Sequence, residues 1–495
     1  MRSGHGTTAG GVDREVTDAT YDLVVIGLGS AGLTAARLAA DQLGLRVAAV
    51  ERDRIGGDCL WTGCVPSKTL LASARAAHTV RTADRFGVAG SEPSVDLGAV
   101  WERIHDVQDG IAVDEDSADR LRAIGIEVVF GTARLTGPHD ITVDSDRGAR
   151  HLRAAFVLIA TGSRAAVPPI PGIDAVDVET SDSFFAAPPA AGPLAVVGGG
   201  PVGVEISQAM RRLGLPGTLV EMAPHLLPRE EPELADRLTE VLRADGVDVR
   251  TSTGVDRVEA RDGQVIAHAG GEPIVASTLL VATGRNPNVE HLGLDRLGVD
   301  LDGDGVVVDG RNRTSLRNVY VVGDAASGRP AFTHTAAYDA GVAVRDMFFP
   351  GAGRPSSTIP WSVFTSPELA RVGLTEAEAR ARHGDRRVRL HQRELAGNDR
   401  ARAEDATQGV VRVVTAGRRI VGAHVLGPGA GDVINEFAIA IDRGLTLHDL
   451  GAVVHVYPTI ATDAGRVGAD GQLSLARRLR PAARLTSWRH RRRVS

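Results

Sequence analysis

The chain has 495 residues, 43% of them hydrophobic and 24% charged, with a formal net charge of −6 at pH 7 and a pI near 6.2. That length exceeds a single core and suggests roughly three domains, while the acidic balance argues against a nucleic-acid binder. No apolar run reaches the ~20 residues that a membrane span requires, so no integral membrane segment is expected.

Residues 1–20, MRSGHGTTAGGVDREVTDAT, are polar and glycine-rich. With no apolar stretch they read as a disordered leader rather than a signal peptide, which points to a cytoplasmic protein. The first strongly patterned unit is YDLVVIGLGSAGLTAARLAA, which ends at VAAVE on Glu51. It reads as a buried strand, a turn carrying Gly27, Gly29 and Gly32, an amphipathic helix, and a second strand closed by an acid. The first glycine of such a turn allows the tight bend, and the second lets backbone approach a pyrophosphate. The third lets helix pack on strand, and the acid accepts from ribose hydroxyls.

Next comes GGDCLWTGCVPSKTLL, residues 56–71, which holds the only two cysteines of the chain, Cys59 and Cys64. Two cysteines this close exclude a four-cysteine zinc site and a secreted disulfide scaffold. At i and i+5 of a regular helix their Cα atoms would be roughly 8–9 Å apart, beyond the ~7 Å that a disulfide tolerates. A bond between them therefore requires non-helical backbone, for which Gly63 is permissive. Pro66 suits the first turn of a following helix. Cys64 would then lie near that helix N-terminus, where a thiolate is favoured. Two inert buried cysteines are the bland alternative, and the position beside a nucleotide unit favours redox chemistry.

The same unit then recurs. GPLAVVGGGPVGVEISQAMRRLG carries Gly198, Gly200 and Gly203 and leads to GTLVE, closing on Glu221. From first glycine to acid is 24 residues in one copy and 23 in the other. Each copy is followed by a strand and a Thr-Gly turn: VLIATGSR with Thr161 and Gly162, and LLVATGRNPN with Gly284. TSLRNVYVVGDAA reads as a strand ending at Gly323-Asp324, and a carboxylate at such a strand end is where doubly wound sheets meet their ligands. From about residue 356 strands and helices alternate without a glycine fingerprint, as a third domain. Between Arg477 and Arg493 stand eight arginines and no acid. They read as a solvated or frayed end, with contact to an acidic surface or anionic lipid as the sharper alternative.

In these features the chain resembles the pyridine nucleotide-disulfide oxidoreductases, the family of dihydrolipoamide dehydrogenase, glutathione reductase and mercuric reductase. The glycine units, the C-x4-C segment, both A-T-G turns and the late Gly-Asp occur in family order over about residues 21 to 470. The G-G-D-C…T-G-C-V-P-S-K spelling is similar to the mercuric-reductase-like branch. The resemblance implies an α/β fold with two Rossmann-like dinucleotide-binding domains, for FAD and NAD, plus a C-terminal α+β dimerisation domain. Residues 21–163 and 287–355 would form the FAD domain, 164–286 the NAD(P) domain, 356–470 the dimerisation domain and 471–495 a basic tail. It further implies FAD on the first unit, with Glu51 at the adenosine ribose and Asp324 at the ribityl chain. Cys64 would be the charge-transfer thiol, Cys59 the interchange thiol, and Lys68 would pair with Glu205 near the flavin. The second unit would take the nicotinamide cofactor. Glu221 suits the free 2′-hydroxyl of NADH, while His225 and Arg229 keep NADPH open. A homodimer is implied, in which each last domain completes its partner's active site.

The pattern breaks near the end. Where disulfide reductases of this family carry H-x-H-P-T-x-x-E, this chain reads HVYPTIAT, with His455, Tyr457 and Thr462. Tyr457 stands at the acid/base histidine and Thr462 at the glutamate that orients it. A phenol with a pKa near 10 is a poor base at neutral pH. His455 is a candidate substitute, although its family counterpart is structural. With only two cysteines the chain has no C-terminal pair to deliver Hg(II) as mercuric reductases do. Three functions remain open: an NADH-dependent disulfide oxidoreductase, a diaphorase passing electrons to quinones or metal ions, and a non-catalytic redox sensor. In each case the partner is a small-molecule electron acceptor or none.

Overall fold

A computed structural model describes residues 19–351, 354–469 and 480–494. The expected leader, through residue 18, lies outside the described residues, as do 470–479 and 495 of the expected basic tail. The chain divides into two compact units.

The first unit comprises the described residues up to Gly57 together with those of 112–163 and 287–355. Its core is a parallel sheet in the order Ile126–Phe130, Val47–Glu51, Ala19–Ile26, Gly148–Ile159 and Val319–Val321. Buried on both faces, these strands are near-continuous apolar runs, as parallel sheets require. Strand Gly148–Ile159 serves two layers, because its first half also pairs antiparallel with Asp140–Ser145. On one face, helix Ser30–Arg37 packs beside helix Thr333–Phe348 around Ala31, Ala35, Ala340 and Ala343. Small residues along both helices explain how close that packing is. Asp346 on the second helix is fully buried, and receives hydrogen bonds from the Arg311 guanidinium at 2.7 Å and the Tyr320 hydroxyl at 3.0 Å.

The second unit comprises Asp58–Ile111, Arg164–Asn286 and the chain from Ser356. It contains a second all-parallel sheet, in the order Asp248–Arg250, Gly217–Val220, Leu194–Val197, Thr278–Val281 and Val178–Thr180. A three-stranded antiparallel meander, Val255–Arg261 to Glu272–Ala276, follows helix Pro232–Ala244 and strand Asp248–Arg250. Beyond residue 356 comes a five-stranded antiparallel sheet in the order Pro360–Val363, Glu368–Gly373, Arg419–Gly427, Val410–Ala416 and Val388–Glu394. Helix Ala430–Asp442 covers it through Val433, Ile434 and Phe437. The α+β texture expected for this segment is thus what forms. The helices of 58–111 group with this second unit rather than with the first nucleotide unit.

One local reading differs from the sequence. The strand expected to run to Gly323-Asp324 is confined to Val319–Val321, and Gly323–Ala325 is a 3-10 turn. Gly323 at φ +67° leaves the extended region and swings Asp324 past the strand end. The arginine-rich end is helical over Arg480–Val494, and residues 480–491 are exposed throughout. Pro481 suits a helix start, and no glycine interrupts the residues after it. No helix among the described residues is long and apolar enough to cross a membrane.

Candidate functional site

The repeated glycine turns fold to the same geometry twice. In the first, Gly27 N–H donates to Val50 O at 2.8 Å and Ala160 N–H to Ile26 O at 2.8 Å. In the second, Gly198 N–H donates to Val220 O at 2.9 Å and Ala282 N–H to Val197 O at 2.8 Å. The acids match too. Glu51 accepts from Leu28 N–H at 2.7 Å and Asp53 N–H at 2.9 Å. Glu221 accepts from Gly199 N–H at 2.6 Å and Ala223 N–H at 2.7 Å. Each carboxylate thereby pins its glycine loop to the end of the neighbouring strand.

The third glycine of each turn is compulsory. A Cβ on Gly32 would lie 1.8 Å from Gly27 O, and one on Gly203 would lie 2.0 Å from Gly198 O. The middle glycine faces space instead. A Cβ on Gly200 would meet nothing within 4 Å, and one on Gly29 only Gly57 Cα at 3.8 Å. Both turns open directly onto the N-terminus of a helix, Ser30–Arg37 or Pro201–Arg212. A backbone concavity at a helix N-terminus, with room beside its middle glycine and an acid at the end of the neighbouring strand, fits a dinucleotide in each copy.

The Thr-Gly turns act as ties. Thr161 donates through its hydroxyl to Asn288 O at 2.7 Å, and Asn288 N–H donates back to Gly162 O at 2.9 Å. In the second copy Ala166 N–H donates to Gly284 O at 2.9 Å. Asp324 accepts from the Ser163 hydroxyl at 2.6 Å.

The cysteine segment breaks as the spacing requires. Cys59 sits half-buried on the short helix Gly57–Trp61, and Cys64 is exposed as the first residue of helix Cys64–Arg81. Between them Gly63 has φ −120° and ψ −111°, outside the helical region. A Cβ on Gly63 would lie 2.8 Å from Asp58 O and 3.4 Å from Cys59 Cα. Only glycine lets the chain fold back this tightly onto the cysteine helix. Gln108, buried, caps that helix by donating to Leu60 O at 2.9 Å and Trp61 O at 2.8 Å, which satisfies two terminal carbonyls. Pro66 stands in the first turn, where a missing N–H leaves no bond unmade.

One turn further along, Lys68 reaches Glu205 on the helix of the second glycine unit, Nζ to Oε2 at 2.9 Å. Glu205 is buried, and its other oxygen accepts from Phe364 N–H at 2.9 Å. The Phe364 ring lies under the Lys68 ammonium at 4.3 Å, a favourable cation–π geometry. Sequence reasoning brought Lys68 and Glu205 together but missed Phe364, whose main contribution is a backbone N–H that no residue pattern reveals.

The late segment divides into two arrangements. His455 Nε2 lies 2.7 Å from Glu436 Oε1 and Nδ1 lies 3.0 Å from Val453 O, so both ring nitrogens are engaged. Tyr457 is exposed and donates its hydroxyl to Asp399 Oδ2 at 3.0 Å. That bond and the Asp399 charge push the phenol above its ordinary pKa. Asn398, next to Asp399, is buried and donates to Thr459 O at 3.1 Å, so adjacent residues grip the loop. Thr462 bonds back to Val456 O at 3.0 Å and does not stand in for a carboxylate.

Two dinucleotide cradles and a C-x4-C helix break define an oxidoreductase that uses a flavin and a nicotinamide cofactor together. The chain belongs to the pyridine nucleotide-disulphide oxidoreductase family, whose model matches residues 21–340, and the family's dimerisation domain matches residues 359–465. It is 38% identical over 458 residues to a mercuric reductase of Streptomyces lividans, covering 89% of this chain and 94% of that one. It is 36% identical over 462 residues to a dihydrolipoyl dehydrogenase of Thermus scotoductus, covering 89% and 95%. Among solved structures it resembles the Cu(II) complex of the HOCl-induced flavoprotein disulfide reductase RclA of Escherichia coli. There the TM-score is 0.80 and the identity 28%, over 91% of this chain and 99% of that chain. It is accordingly an NAD(P)H-dependent flavoprotein oxidoreductase, with FAD and NAD(P)H as its cofactors.

Proposed function

We propose that the enzyme draws two electrons from NADH, passes them to the Cys59–Cys64 pair, and delivers them to an acceptor that departs without needing a proton, a thiophilic metal ion such as Cu(II). The observation that carries this reading is the Tyr457–Asp399 hydrogen bond at 3.0 Å. The phenol proton is committed to a carboxylate, and neither Tyr457 nor Thr462 supplies the acid/base dyad that helps a leaving thiol depart. Metal-ion reduction has no such requirement. Per NADH oxidised, two Cu(II) become two Cu(I) and one proton is released, while the dithiol returns to the disulfide. The RclA structure, a Cu(II) complex of a related flavoprotein, supports the same acceptor class.

FAD, when bound, supplies the two-electron relay between nicotinamide and cysteine pair. Gly27, Gly29, Gly32, Glu51 and Asp324 would hold it. Gly198, Gly200, Gly203 and Glu221 would hold NADH. Lys68, pinned by Glu205 and backed by the Phe364 ring, keeps a fixed positive charge that favours arriving electrons. His455 serves as a strut, tying the Tyr457 loop to helix Ala430–Asp442 through Glu436. The dimerisation domain supports a homodimer.

NADH is favoured over NADPH because Glu221 would meet the ribose hydroxyls and the nearby basic side chains are engaged elsewhere. His225 pairs with Asp236 at 2.7 Å, and the Arg229 guanidinium lies over the Trp361 ring at 5.9 Å. Steady-state assays are expected to give kcat/KM about 100-fold higher for NADH than NADPH, since a like-charge clash costs a few kcal/mol. In the same assays Cu(II) held by a weak, thiol-free chelator such as an amino acid should turn over faster than glutathione disulfide or lipoamide. Faster turnover of either disulfide would overturn the acceptor assignment.

A further inference from the structure

Helix Gly57–Trp61 is only five residues long, too short to be stable by itself, so what holds it decides where Cys59 points. Gln108 holds its C-terminal end. Its other end is held through Asp58, the residue next to Cys59. The Asp58 carboxylate is paired with the Arg285 guanidinium. Arg285 comes directly after the Thr-Gly turn of Gly284, and also reaches the Ser181 hydroxyl at 3.1 Å and the Asp182 carboxylate at 3.3 Å. Asp182 in turn accepts from Ala165 N–H at 2.7 Å. The Arg285 guanidinium thus bridges a carboxylate beside Cys59 to one on a separate segment, one nitrogen to each, and its rigid plane fixes orientation as well as charge.

We propose that Asp58 and Arg285 form a charge pair that tunes Cys59, Asp58 opposing a thiolate there and Arg285 cancelling that opposition while anchoring the cysteine helix. Both are positioning residues acting through Cys59. The inference rests on the reading of Cys59 as a reactive thiol. The charged and titratable groups along this stretch include Asp58 on the helix itself, Arg285 paired with it and Asp182 paired with Arg285, and Cys64 and Lys68 along the next helix. Helix Leu97–Asp114 contributes the neutral Gln108 amide. A half-exposed carboxylate on the adjacent residue acts on the thiol through space rather than by contact, and in a partly screened setting such a charge shifts it by about half a pH unit. The pair therefore predicts effects of opposite sign from its two members, which a loosened fold does not produce.

The test uses the Cys64→Ser background, in which Cys59 is the only cysteine left. The rate of iodoacetamide alkylation is followed against pH on the full chain after chemical reduction, since only the thiolate reacts. Asp58→Asn is expected to lower the apparent thiol pKa by about half a unit and Arg285→Gln to raise it by about as much. The Asp58→Asn/Arg285→Gln double variant should return close to the parent, as coupled pairs do in such cycles. Arg285→Lys, which keeps the charge, should also stay near the parent even if its fork geometry is lost. Four coincident titrations, or single variants that move in the same direction, would overturn the proposal. This readout needs neither flavin turnover nor an acceptor, so it fails separately from the functional reading, which Cys59→Ser tests.

Discussion

Cys59→Ser is expected to reduce NADH-driven reduction of Cu(II) or of any disulfide by roughly 1,000-fold or more, because a serine hydroxyl neither forms a dithiol–disulfide couple with Cys64 nor enters thiol exchange. Direct reduction of a quinone, which does not pass through the pair, should survive at close to the parent rate. Cys59 is half-buried on a helix whose ends are held by Gln108 and Asp58, and serine is nearly isosteric, so folding and flavin content should not change. Both activities persisting in this variant would show that the cysteines are bypassed.

Gly32→Ala and Gly203→Ala form the second pair with large expected effects. A Cβ on Gly32 would lie 1.8 Å from Gly27 O and 3.2 Å from Val25 Cγ1. The obstructing atom is backbone, so no side-chain adjustment relieves it and the turn itself must open. The first variant is expected to purify with little or no flavin. In Gly203→Ala the obstruction is Gly198 O at 2.0 Å. That variant should retain its flavin but lose NADH binding, raising KM by about 100-fold or more as a misplaced loop forfeits its phosphate contacts. Flavin absorbance per polypeptide and NADH kinetics check both. If Gly203→Ala lost flavin while Gly32→Ala kept it, the assignment of the two cradles would be reversed.

These variants are informative for the same reason that the fold was legible. Gly32 and Gly203 are glycine because a carbonyl occupies the place of a Cβ, and that necessity stands in the sequence as a doubled pattern. Glu51 and Glu221 are legible likewise, since each sits where the strand after the helix ends. The break between Cys59 and Cys64 is dictated by helix geometry alone, and Gly63 proved to be needed more for close approach to Asp58 O than for an unusual φ.

The features that stayed hidden depend on long-range partners. Arg285 meets Asp58 across 227 residues of sequence, and neither residue type announces the other. Its position directly after Gly284 was the one available clue. Phe364 acts through its backbone N–H on Glu205. Asp399 and Asn398 grip the Tyr457 loop from a short helix with no recognisable motif. The affiliation of 58–111 with the second unit rests on packing of Leu70, Leu71, Trp101 and Ile104 into its core, a tertiary preference that periodicity does not encode.

The central claim is that electrons from NADH reach the Cys59–Cys64 pair. Anaerobic titration of the purified protein with NADH, monitored by visible absorbance, follows those electrons. A long-wavelength charge-transfer band is expected after two electrons, and its absence in Cys64→Ser. Bleaching of the flavin with no such band in the parent protein would contradict it.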